Sequence, residues 1–103
     1  MLARILVAVT LAWWASAAAA AEIRVKIGNF TFQPVIVILH PGDTVRWENE
    51  DDIPHTVTES SFRFHSEALD TGDAFAFTFR DKGEFTYFCS LHPHMVAKVV
   101  VVE

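Results

Sequence analysis

Cys89, His92 and Met95 stand at the spacing Cys-x2-His-x2-Met within Phe85-Thr-Tyr-Phe-Cys-Ser-Leu-His-Pro-His-Met95, and Cys89 is the only cysteine of the 103 residues. A thiolate, an imidazole and a thioether form a soft donor set, and softness selects copper over magnesium, calcium or manganese. A mononuclear electron-transfer copper site takes its strong plane from two histidines and a cysteine, with a weak methionine on the axis. One more imidazole is needed, and Asp52-Ile-Pro-His55 supplies the candidate from a second segment. The expected ligands of a single copper are therefore His55, Cys89 and His92, with Met95 axial.

His94 competes with His92, because Cys89-x4-His94 would fit a longer loop. No residue separates His94 from Met95, so that choice leaves the chain no room to bring both to one metal. Pro93 also stiffens the turn between the two histidines. His94 is expected on the rim beside the site, His40 in a surface turn next to Pro41, and His65 exposed in an irregular stretch. The acidic run Glu48 to Asp52 reads as a solvated corner, since it lacks the alternating acids and glycine of a calcium loop.

Strands must position these residues. Ile23, Val25 and Ile27 alternate with Arg24 and Lys26, the period of a half-buried strand. Gly28-Asn29 marks a turn, Phe30 and Phe32 read as core contributions, and Pro34 limits the next strand to an edge or a late start. Val35 to Leu39 is a continuous apolar run, expected to be buried on both faces or to pair at a sheet centre. Pro41-Gly42 turns the chain, after which Val45, Trp47 and Asn49 share one side of a strand and Trp47 anchors the core. His55 and Val57 point the same way, which places His55 just inside a short strand. Ser60 to Thr71 is irregular and has room for a turn or a fragment of helix. Phe75, Phe77 and Phe79 alternate again, Asp81-Lys-Gly83 reads as a hairpin turn, and Phe85, Tyr87 and Cys89 share a face of the ligand strand. Val99 to Val102 closes the sheet. No long amphipathic helix is visible, so the expected fold is all-β, a small antiparallel Greek-key sandwich of about seven strands.

The first segment is of another kind. Met1-Leu-Ala-Arg4 is a short positive start, Ile5 to Trp14 is apolar, and small residues run to Ala21. That is the pattern of a secretory signal, expected over 1–21, with the domain over 22–103 and no membrane span after cleavage. Without Arg4, seven Lys and Arg face 13 Asp and Glu, a formal net charge of −6. Acidity of this size disfavours nucleic acid as a partner and favours solubility and steering toward a basic protein. A lone cysteine in an exported chain forms no internal disulfide; a buried structural cysteine is one reading, and the position of Cys89 three residues before a histidine favours ligation.

With the motifs and elements in place, the chain resembles the cupredoxins, the small blue copper proteins. The resemblance runs through Pro41-Gly-Asp-Thr-Val-Arg-Trp47, Asn49, Asp51, Pro54-His-Thr-Val57, Gly83 and Cys89 to Met95, and the short ligand loop is most similar to that of the amicyanins. Two positions depart from the pattern. Ala97 stands where the family usually has glycine, and Thr56 stands where amicyanins and several relatives carry an asparagine that ties the two ligand loops together. Threonine is shorter and has one hydroxyl, so a bridge at Thr56 must be tighter or absent.

The resemblance implies a periplasmic one-electron carrier, a monomer whose type 1 copper alternates between Cu(I) and Cu(II). It also implies redox-protein partners, a dehydrogenase as donor and a c-type cytochrome as acceptor. The alternative is periplasmic copper carriage or storage, for which His40, His65 and His94 are additional donors. An enzyme is not expected, since copper oxidases and nitrite reductases wire the cysteine to a second copper through an adjacent histidine. Cys89 has Phe88 and Ser90 as neighbours.

Overall fold

The computed structural model describes residues 19–103. Residues 1–18, which make up most of the expected signal segment, lie outside the described part. Among the described residues there is no helix long and apolar enough to cross a membrane.

Eight strands follow in chain order: β1 (Glu22–Gly28), β2 (Thr31–Gln33), β3 (Ile36–Leu39), β4 (Thr44–Asn49), β5 (Thr58–Glu59), β6 (Ala74–Thr78), β7 (Gly83–Cys89) and β8 (His92–Val101). They form two four-stranded sheets, in the orders β2-β1-β4-β6 and β3-β8-β7-β5. The all-β sandwich expected from the strand pattern is thus the observed architecture. Antiparallel pairs predominate, while β1 and β4 run parallel, as do β3 and β8.

Alternation decides what each sheet turns inward. Val25, Ile27, Phe32, Val45 and Trp47 come from the first sheet, and Val37, Leu39, Phe85, Tyr87, Cys89, Met95, Ala97, Val99 and Val101 from the second; all are buried in one core. Trp47 anchors it as expected, fully buried, edge-on to Tyr87 at 5.4 Å between ring centroids and stacked on Phe64 at 5.8 Å. Burial pushes the Tyr87 hydroxyl far above the ordinary tyrosine range, so it stays protonated.

Three expectations are corrected. The run Val35 to Leu39 is not buried on both faces: β3 is an edge strand, and Ile36 and Ile38 are 55% and 67% exposed. Pairing with β8 alone supplies a neighbour on one side, and among the described residues no layer covers the outer face. Phe30 is not a core residue but stands 46% exposed, because it lies in the turn between β1 and β2 with φ of 57°. Asp81 to Gly83 is not a hairpin turn, since β6 belongs to the first sheet and β7 to the second. The chain crosses between layers there, and Phe79 meets Phe85 edge-on at 5.1 Å across the core instead of across a ladder. Ser60 to Thr71 holds turns and bridges and no helix.

Candidate metal centre

The ligand loop is the turn of a hairpin. Cys89 ends β7, His92 begins β8, and the two are cross-strand partners with only Ser90 and Leu91 between them. The x2 spacing is the loop length that brings the first and fourth residues of a tight turn together. The ladder register shifts between Phe88 and Cys89, which re-aims the cysteine at the end of the strand. Cys89 Sγ then lies 3.6 Å from His92 Nδ1.

His55 arrives from the other segment by a different device. It is held by an isolated bridge to Leu69, and not inside a strand, since β5 begins only at Thr58. Its N–H donates to the Leu69 carbonyl at 3.1 Å and its carbonyl accepts from the Leu69 N–H at 2.7 Å. The fully buried Asn49 shapes the approach: its Nδ2 donates to the carbonyls of Ile53 and Leu69, and its Oδ1 accepts the Asp51 N–H. His55 is itself completely buried, with Nδ1 3.7 Å from Cys89 Sγ.

His55, Cys89 and His92 therefore offer three donor atoms within 4.8 Å of one another. Their separations fit a common centre. Bonds of roughly 2.3 Å to sulfur and 2.0 Å to nitrogen, spread by about 120°, place sulfur and nitrogen about 3.7 Å apart. The Thr56 N–H donates to the sulfur at 3.3 Å inside the protein. Met95 is 3% exposed and lines a cavity together with Phe30, whose ring touches both imidazoles. The donor set fits a soft metal ion.

His94 is exposed, its ring 6.5 Å from that of His92, and it is not one of the three grouped donors. His40 is exposed at the turn into β4, and His65 is exposed and stacked on Phe62 at 4.2 Å.

Two neighbours of the site were not legible as such. Asp51 is no solvated corner: only 13% of its side chain is exposed, and its Oδ2 stands 2.9 Å from His55 Nε2. That bond leaves Nδ1 free to face the sulfur. It also holds the Asp51 carboxyl below the ordinary aspartate range, helped by the Phe30 N–H on the same oxygen. A carboxylate on the second nitrogen of a ligating histidine is a general feature of metal sites, and an acid four residues before His55 was the signal available. The second neighbour is Ser90. Thr56 Oγ1 accepts the Ser90 N–H at 2.8 Å, and also meets Ser90 Oγ at 2.8 Å and Thr58 Oγ1 at 3.1 Å. The bridge between the ligand segments is present despite the shorter side chain, and three partners saturate one hydroxyl.

Fold and site together define a class, the all-β sandwich that gathers a thiol and two imidazoles at one end, one from an inner loop and two from a hairpin. The cupredoxin-like domain matches residues 1–101, and the chain belongs to that family. Among curated relatives it is similar to amicyanin of Paracoccus versutus, 38% identical over 72 residues, which are 63% of this chain and 53% of that protein. It is also similar to amicyanin-alpha of Methylorubrum extorquens, 32% identical over 82% of this chain and 75% of the relative. The match thus spans about half of the first relative and three quarters of the second. Among solved structures it resembles a purple cupredoxin from Nitrosopumilus maritimus, with a TM-score of 0.73 and 30% identity over 78% of this chain and 99% of the other. A copper-containing nitrite reductase from Thermus scotoductus shares the fold at a TM-score of 0.75 and 27% identity, over 80% of this chain and 22% of that enzyme.

Proposed function

We propose that the protein is a periplasmic one-electron carrier with a single copper held by His55, Cys89 and His92, with Met95 axial. The observation that carries this reading is the cluster of two Nδ1 atoms at 3.6 and 3.7 Å from a buried sulfur that already receives a backbone N–H. When bound, copper supplies a centre that exchanges one electron without forming or breaking a bond in a substrate. The chain supplies the rest. Asp51 fixes the tautomer and orientation of His55, Thr56 locks the two ligand segments through Ser90, and the core on either side keeps the donors from moving. Half-exposed His92, flanked by exposed Leu91 and Pro93, is the port through which the electron passes.

The partners in this reading are redox proteins, a dehydrogenase donor and a c-type cytochrome acceptor, which follows the resemblance to amicyanins. Apolar surface at Leu91 suits the small interfaces of such encounters. The leading residues 1–21 act as a signal removed on export, leaving 22–103 as the carrier. Catalysis is disfavoured by Phe88 and Ser90 on either side of Cys89, where a wired enzyme needs histidine. Storage draws no support from the fold, because His55, Cys89 and His92 form the one such donor group among the described residues.

The test is a visible absorption spectrum of the copper-loaded protein. An intense charge-transfer band that disappears in Cys89→Ser supports the reading. A band that survives that substitution defeats it.

A further inference from the structure

Phe30 stands in a place that neither its chemistry nor the core explains. A bulky aromatic residue in the left-handed region is a backbone outlier, yet Phe30 has φ of 57° directly after Asn29 at 49°. The ring leaves the core for the surface, where it is 46% exposed. There it meets both imidazoles edge-on, His55 at 5.9 Å and 87° and His92 at 5.2 Å and 90°. Among the described residues it is the one ring other than a histidine that touches either of them.

The turn is tied to the site as well. The Phe30 N–H donates to Asp51 Oδ2 at 3.2 Å, the oxygen that also takes His55 Nε2 at 2.9 Å. Thr31 Oγ1 closes the turn by donating to the Gly28 carbonyl at 2.7 Å. One carboxylate thus fixes the backbone that aims the ring and the imidazole that the ring packs on. Edge-to-face contact is the preferred geometry for such rings, and unfavourable backbone of this kind persists where the surroundings over-determine it for a function.

We propose that Phe30 is a positioning residue of the metal centre: a surface ring that covers the outer side of both imidazoles, holds His92 in its ligating orientation before metal arrives, and slows metal exchange. The proposal rests on the copper reading of the site. His92 needs this support more than His55, since His92 is half-exposed in a hairpin turn whereas His55 is buried and clamped by Asp51. A ligand ordered in advance loses less freedom on binding.

The experiment uses the copper-loaded protein with Phe30→Ala, Phe30→Gly and Phe30→Tyr. Glycine removes the ring but also relieves the left-handed backbone, so it separates a loss of site order from a loss of fold stability. In both ring-less variants copper loss to a chelator should be faster by about tenfold, the lower end of what supporting residues contribute at metal sites. The glycine variant should unfold at or above the temperature of the alanine variant, and tyrosine should restore the wild-type rate. In the metal-free proteins, the His92 ring signals by NMR should be sharp with phenylalanine or tyrosine and exchange-broadened with alanine or glycine. Wild-type copper loss and sharp His92 signals in folded Phe30→Ala and Phe30→Gly would overturn the proposal, as would failure of tyrosine to restore both. A wild-type protein without a charge-transfer band would instead defeat the copper reading, and the metal-free NMR comparison would still decide the role of Phe30.

Discussion

Single atoms around Cys89 Sγ decide what this site does. Thr56 contributes twice, its N–H to the sulfur and its hydroxyl to Ser90 on the other segment. Thr56→Val keeps the shape and the N–H but removes the acceptor for the Ser90 N–H. The expected result is a destabilisation of about 1 kcal/mol, a shifted reduction potential and faster copper loss, read by denaturant titration, voltammetry and chelator competition. Unchanged values in all three would take the hydroxyl out of the site's support. Asp51 acts through the His55 ring and through the Phe30 N–H, so Asp51→Asn, which still offers an oxygen of the same reach, should be milder than Asp51→Ala. The ordering of the two variants in copper affinity is the check, and the alanine variant should lose about tenfold or more.

At the scale of the element, the short strand β5 shows how an acidic residue is kept inside a sandwich. Glu59 is 1% exposed, and its carboxylate accepts from the N–H groups of Ser61 and Arg63 and from the Arg63 guanidinium at 2.6 and 2.9 Å. The guanidinium lies 4.2 Å above the Phe85 ring, so one side chain joins β5 to β7. Arg63 first, and then the backbone donors, hold the Glu59 carboxyl below the ordinary glutamate range against the opposing effect of burial. A group whose pKa is lower in the folded state stabilises fully above its unfolded value, near 4.5, and that stability is lost as pH falls through the folded value. Melting temperature followed from pH 7 downward should therefore fall below about pH 4.5, and Glu59→Gln should flatten that decline while lowering stability at neutral pH. An acid limb of the same slope in the variant would assign it to other carboxyls.

The described residues form a small sandwich, and a chain with a single cysteine makes no internal disulfide, so aromatic packing carries its margin and a bound metal would add to it. Phe79 is 1% exposed and touches Trp47, Phe64, Phe77 and Phe85. Phe79→Ala should cost about 3–5 kcal/mol, a loss large enough that the metal-free variant unfolds well below the wild type in thermal melts. Copper binds the folded state, and at a free concentration 100 times its dissociation constant it should add about 2.7 kcal/mol. The melting temperature should therefore rise with copper and the rise should vanish in Cys89→Ser. An equal rise in both proteins would place the stabilising copper elsewhere.

Much of this was written in local pattern. The alternation of Ile23 to Ile27, of Val45 to Asn49 and of Phe85 to Cys89 determined strands and their inner faces, because side-chain direction in a strand depends only on parity. The donor spacing Cys89-x2-His92 determined a tight ligand loop, because few backbone paths join residues so near in the chain, and the structure makes that loop the turn of a hairpin. What parity does not encode is which sheet a strand joins and what covers its other face. Only the tertiary structure made β3 an edge, so that Ile36 and Ile38 face outward, and sent β6 and β7 to different sheets. Likewise the roles of Asp51, Ser90 and Phe30 rest on contacts across 4, 34 and more than 20 positions of chain. Such partners depend on how the layers meet, and the types of the residues along the chain do not specify that meeting.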